Sequence, residues 1–183
     1  MRACSNNPRC LRSSVRRAKR DVVNTATLAN DEEYIKNYNT DSSIRADGTM
    51  HVVENIEYFF LSPRHGIIRT IPYVKTNAEG KRFALTISDI TVTDRQGVPY
   101  TKSISNENDT ITIKIGDSDK TIQGLHMYVI SYDVAGAMTY FLGHDELYWN
   151  AVGTQWKVPI RSAQTQIQIP QGVDPKDIHI ECF

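Results

Sequence analysis

Along most of the chain, apolar residues recur at every second position, the period of β-strands and not the 3.6 of helices. The first clear case is "EYIKNYNTDSSIR", then "ADGT", then "MHVVENIEYFFL", which reads as a hairpin with its turn at residues 46–49. In its second arm Met50, Val52, Ile56, Tyr58 and Phe60 share one parity, and only Glu54 interrupts it. "KRFALTISDITVTD" sets Phe83, Leu85 and Ile87 on one face, and the phase breaks at Ser88-Asp89, where a bulge would restore it. Ile111, Ile113 and Ile115 alternate cleanly in "TITIKI".

The strongest strand signal is "GLHMYVISYDVAGAM". Tyr128, Ile130, Tyr132 and Val134 lie on one face, with Leu125, Met127 and Val129 on the other, which predicts a central strand. Tyr128 and Tyr132 are expected buried, with both hydroxyls hydrogen-bonded. "RSAQTQIQIP" sets Thr165, Ile167 and Ile169 against Gln164, Gln166 and Gln168, the pattern of a half-exposed antiparallel strand. No long amphipathic helix competes. Seven or more short strands, parted by turn signals every ten or so residues, predict an all-β fold: an antiparallel β-sandwich, immunoglobulin-like in type, with a barrel as the other way to close the sheet.

At 183 residues, 40% of them hydrophobic, the chain is long enough for one domain with a well-buried core. No apolar run approaches the ~18 residues of a membrane helix. The formal net charge of zero hides an asymmetry. Residues 1–20 carry seven Arg and Lys and no acid, leaving fourteen basic against twenty-one acidic residues, about −7, in the remainder. An acidic body argues against nucleic-acid binding by the folded part, since phosphate affinity comes from clustered Lys and Arg. The boundaries follow: residues 1–31 are a basic, disordered leader, and 32–183 are the β domain. The alternation of Ile178, Ile180 and Cys182 stops without a turn, which reads as a domain cut short at its C-terminal end. Cys4, Cys10 and Cys182 cannot all pair within one molecule, and the spacing of the first two does not fit zinc.

Candidate chemistry gathers in "GHDELYWNAVGTQWKVPI", which holds His144, Asp145, Glu146, Tyr148 and both tryptophans, Trp149 and Trp156. Carboxylate pairs serve glycoside hydrolysis, but adjacent Asp145 and Glu146 point to opposite faces of a strand and cannot flank one bond. Exposed aromatics stack on sugars, so Tyr148, Trp149 and Trp156 raise a sugar platform as well. Yet Leu147 and Trp149 share a parity, as do Trp156, Val158 and Ile160, which favours tryptophans packed on the core after a turn at Gly153. A second group, Arg64, His65 and Arg69 in "SPRHGIIRTIP", offers cations for an anionic polymer or phosphate. The acid-rich turns lack calcium-loop spacing, so no metal or cofactor is expected.

The order "HGIIRTIP", "GLHMYVISYDVAGAM", "DELYWNAVGTQWKVPI", "IQIP" resembles the N-terminal domain of the bacterial predicted membrane proteins grouped as domain of unknown function 2207, over roughly residues 34–183. The resemblance implies an extracytoplasmic domain, preceded by a signal peptide and anchored through membrane segments that this chain lacks. It implies no reaction. Because the family pattern carries both positions, a structural Arg69–Glu146 ion pair is expected. The resulting expectation is a non-catalytic binding or sensor module for an unknown protein or cell-surface polymer. A carbohydrate-binding or carbohydrate-active domain is the alternative. Arg69, His144, Asp145, Glu146, Tyr148 and Trp156 are the candidate binding residues.

Overall fold

The computed structural model describes residues 32–76 and 80–180. The basic leader and Cys182 lie outside these residues. Among them the fold is all-β, and its largest sheet holds five strands. β1 (Tyr34–Ile44) and β2 (Met50–Arg64) form the expected hairpin, and β2 pairs antiparallel with β9 (Ile122–Ala135). β6 (Thr86–Thr93) closes one edge and β12 (Ala163–Gln168) the other, in the order β12-β1-β2-β9-β6. The expected central strand is therefore β9.

The register between β6 and β9 shifts between Ser88 and Thr91, and Asp89 takes a φ of 54°. This is the bulge that the broken apolar phase called for. The stretch before it divides: β5 (Arg82–Ala84) pairs with β4 (Val74–Thr76), while Leu85 donates its N–H to the Tyr73 carbonyl at 2.7 Å.

A three-stranded antiparallel sheet is built from β3 (Gly66–Pro72), β7 (Lys102–Glu107) and β8 (Thr110–Gly116), with β8 in the middle. A separate hairpin pairs β10 (Met138–Phe141) with β11 (His144–Leu147).

One hydrophobic core draws on both larger sheets. Val52, Ile56, Phe60, Tyr128, Ile130 and Tyr132 come from the five-stranded sheet. Ile67, Ile71, Ile111, Ile113 and Ile115 come from the three-stranded one. Each such side chain contributes about 1.5–3 kcal/mol when fully buried. The opposite face of the five-stranded sheet stays partly wet, with Asn39, Asp41, Asn55 and Asp133 on it. That is why β1 and the middle of β2 read as clean alternations.

Two expectations are corrected. β12 pairs with β1 in parallel, not antiparallel, and its residues are exposed on both faces as an edge strand. The C-terminal alternation forms no strand among the described residues. A single turn of 3-10 helix stands at Pro175–Asp177, and residues 178–180 carry no regular structure.

Candidate functional site

Period two puts Glu54 on the inward face of β2 between Val52 and Ile56, and Arg69 on the inward face of β3 between Ile67 and Ile71. The two side chains meet inside the core, 0% and 3% exposed. Arg69 Nη2 donates to Glu54 Oε1 at 2.7 Å and Nε to Oε2 at 2.8 Å, a bidentate pair joining the two sheets. The Tyr132 hydroxyl donates to Oε1 at 2.6 Å and the Tyr38 hydroxyl to Oε2 at 2.7 Å. The carboxylate thus accepts four hydrogen bonds. Such saturation is what a buried charge requires, because desolvation costs several kcal/mol per ion.

Electrostatics agree with the geometry. Burial would lower the Arg69 pKa, but the Glu54 charge and its hydrogen bonds outweigh it and hold the guanidinium protonated, above its ordinary value. Burial, then the Glu54 charge, pushes both tyrosines well above 10. The four groups form a closed lock.

The expected Arg69–Glu146 pair does not form. Arg69 is engaged from within the core, while Glu146 is exposed on β11 opposite Thr139. Nor do Arg64 and His65 converge with Arg69. Arg64 pairs with Glu33 at 2.9 Å, and His65 Nδ1 lies 2.9 Å from the Lys120 carbonyl.

The segment after β11 runs over this lock as an irregular strap. Trp149, Val152, Trp156, Val158 and Ile160 pack partly buried against the core. The Trp156 ring sits 6.0 Å from the Arg69 guanidinium carbon and edge-on to Tyr38 at 5.8 Å, and its Nε1 donates to the Val152 carbonyl at 3.1 Å. Thr40 Oγ1 donates to the Ala151 carbonyl at 2.9 Å, and the Ile35 N–H to the Pro159 carbonyl at 2.9 Å. Gly153 has a φ of +73°, and a Cβ there would lie 2.4 Å from Arg69 Nη1. Only glycine lets the backbone come so close to the guanidinium.

The other candidates stay at the surface. His144 and Asp145 are exposed on β11 along with Glu146, and the His144 ring stacks on Phe141 at 4.9 Å. Tyr148 is 59% exposed. Lys75 Nζ lies 5.4 Å from the Tyr148 ring and 5.6 Å from Trp149, shielded from solvent, with no hydrogen-bond partner among the described residues. Burial pulls its pKa down to about 8, against the opposing charge of Glu146. The six candidates therefore divide. Arg69 and Trp156 belong to the buried lock and its cover, while His144, Asp145, Glu146 and Tyr148 line an exposed hairpin and its exit.

Glu54, Tyr38 and Lys75 were not among the candidate residues read from the sequence, and Tyr132 was expected buried with its hydroxyl bonded but without a named partner. For Glu54 the signal was present, as the one acid in an otherwise apolar inward register of β2. Two grooves among the described residues lie elsewhere. One, of about 320 Å³, runs between Glu33, Leu61, Arg64 and Lys157–Pro159; the other opens by Asp41, His51 and Gln166.

Residues 34–181 match the family model described as the predicted membrane protein (DUF2207) N-terminal domain, and the chain belongs to that family. A comparison with curated proteins gives no match. Among the described residues, no helix is long and apolar enough to cross a membrane.

Proposed function

We propose that the chain, as the N-terminal domain of a predicted membrane protein, is the extracytoplasmic head of a membrane-anchored bacterial protein and works as a non-catalytic binding or sensor module. In this reading the two larger sheets act as the layers of an immunoglobulin-like β-sandwich, tied together by the Glu54–Arg69 pair. Its partner is a protein or a cell-surface polymer.

One observation carries this reading. The residues most suggestive of chemistry do not converge on a cleft: Trp156 seals a buried ion pair, while Asp145 and Glu146 project from an exposed two-stranded hairpin. Small-molecule sites are concave and bring polar groups together. A surface that presents side chains without enclosing them suits a macromolecular partner better.

A carbohydrate-contact reading keeps support from Tyr148, whose exposed ring stands close to Glu146 in sequence. Pulldown of the intact chain on glycans and cell-wall polymer separates the two. Capture that Tyr148→Ala or Glu146→Gln abolishes, with the thermal midpoint unchanged, would establish the sugar reading. Capture of a surface protein that survives both substitutions supports the binding-module reading.

A further inference from the structure

β12 ends the five-stranded sheet, and among the described residues β1 is the one strand it pairs with. The Tyr38 N–H donates to the Ser162 carbonyl, which fixes the phase of the parallel ladder. In such a ladder both backbone groups of one residue point the same way, so Gln164 and Gln166 turn theirs to β1. Ala163, Thr165 and Ile167 turn their N–H and C=O to the open side. All of β12 is exposed.

Other edges of the two larger sheets are blunted. β6 is bent by the bulge at Asp89, β7 carries Lys102 and Glu107, and β3 carries Arg69 and ends in Pro72. Charges, bulges and prolines are the devices that keep a sheet edge from pairing. β12 has none of them: residues 162–173 include no Asp, Glu, Lys, Arg or His, and Pro170 lies beyond the strand. Its inner-face side chains also run past their cover. Thr165 and Ile167 stand beside Thr40 and Ser42, which are buried, yet Ile167 is 46% exposed and Ile169 37%.

We propose that β12 pairs antiparallel with β12 of a second copy of this chain, across a two-fold axis at Gln166, so that two five-stranded sheets continue into one. Self-complementarity selects this occupant. In that register Thr165 faces Ile167 of the second copy and exchanges backbone hydrogen bonds with it, while Gln164 faces Gln168 and Gln166 faces itself. A Gln amide both donates and accepts, so Gln meets Gln without conflict. A charge near the axis would instead face its own like, and β12 carries none. On the inner face Ile167 and Ile169 gain Thr165 and Ala163 of the second copy as neighbours. The inference goes beyond the binding-module reading and holds whatever partner that module has.

The contact is one strand long, so the dimer is reversible, and disulfide trapping reads it even when single encounters are short. The test uses the full chain with Cys4, Cys10 and Cys182 replaced by Ser. Gln166→Cys should then cross-link under mild oxidant at least about five-fold faster than Ile104→Cys, because the axis sets the paired Cα atoms about 4.5 Å apart. Ile104 is the control, a side chain 47% exposed on the β7 edge. Adding Thr165→Pro should remove the excess, since the N–H it deletes is one that β1 does not use. Ile167→Lys, at an exposed side chain, should do the same with the thermal midpoint unchanged. Equal cross-linking of the two cysteine variants overturns the proposal and leaves the edge to a strand of another protein or to solvent. An excess that survives both Thr165→Pro and Ile167→Lys also overturns it, because the copies would then meet through another surface.

Discussion

Glu54 and Tyr132 meet inside the core, with the tyrosine hydroxyl 2.6 Å from one carboxylate oxygen, while Tyr128, four residues earlier on the same face, donates to no group among the described residues. Both rings are fully buried. Tyr132→Phe removes a charge-assisted bond from a buried carboxylate and should cost about 1.5–3 kcal/mol. Tyr128→Phe should be neutral or stabilising, since it removes a buried polar atom that lacks a protein partner. Chemical denaturation of the two variants reads this directly, and equal losses would contradict the assignment.

Gly153 is held against Arg69 in a left-handed conformation. Gly153→Ala should destabilise by at least about 1 kcal/mol from backbone strain, and by more if the guanidinium must move. A change within about 0.5 kcal/mol would show that the strap does not close on the ion pair.

Lys75 gives the fold a pH dependence of known sign. Burial lowers its folded pKa to about 8 from an ordinary 10.5. Between those values the unfolded chain holds a proton that the folded chain has released, so stability rises with pH through the window. Below pH 8 the cost of the buried charge is fully present. Above about 10 the buried tyrosines work the other way, because burial and its neighbours raise Tyr58 to about 12 and Tyr128 also lies above its ordinary value. Comparing unfolding midpoints of the unsubstituted chain and Lys75→Met from pH 8 to 9.5 isolates the effect. The difference between them should shrink as pH rises, and a constant difference would contradict it.

The two large aromatics of the 143–160 segment should separate. Trp156 covers Arg69 and Tyr38, so Trp156→Ala should cost about 3 kcal/mol. Tyr148 is mostly exposed, with its ring 5.4 Å from Lys75 Nζ, so Tyr148→Ala should cost less than Trp156→Ala, about 1 kcal/mol. A reversed order would place Tyr148 in the core and Trp156 at the surface.

Parity in the sequence tells which face a residue occupies but not what stands across from it. Period two found the inward faces of β2, β8 and β9, the bulge at Ser88-Asp89 and the central place of β9, because each depends on neighbours along one strand. Arg69 was recognised as a candidate for an ion pair, but its partner was misassigned. Glu54 and Arg69 are fifteen residues apart and meet only because two different sheets face each other. The direction of β12 was missed for a related reason, since alternation looks the same in parallel and antiparallel ladders. Residues 156–160 carried strand-like alternation, yet they form a strap with one isolated bridge, Ile35 to Ile160. Alternate inward side chains are enough to pack it on the core, and no ladder is needed. Tyr128 was expected to bond its hydroxyl as Tyr132 does, but the only acid in that inward register of β2 is Glu54, which Tyr132 and Tyr38 already share.

The most direct test of the account is a double-mutant cycle on the buried pair, set beside one on the pair that the sequence suggested. Glu54→Gln and Arg69→Met should each cost about 3–5 kcal/mol, because either change strands a buried charge. Together they should cost clearly less than their sum, with a coupling of about 2 kcal/mol or more. Arg69→Met and Glu146→Gln should add within about 0.5 kcal/mol, since those residues do not touch. Additive effects at Glu54 and Arg69, or coupling that appears with Glu146 instead, would contradict a fold locked by Glu54 and leave the 143–160 segment free to be a site.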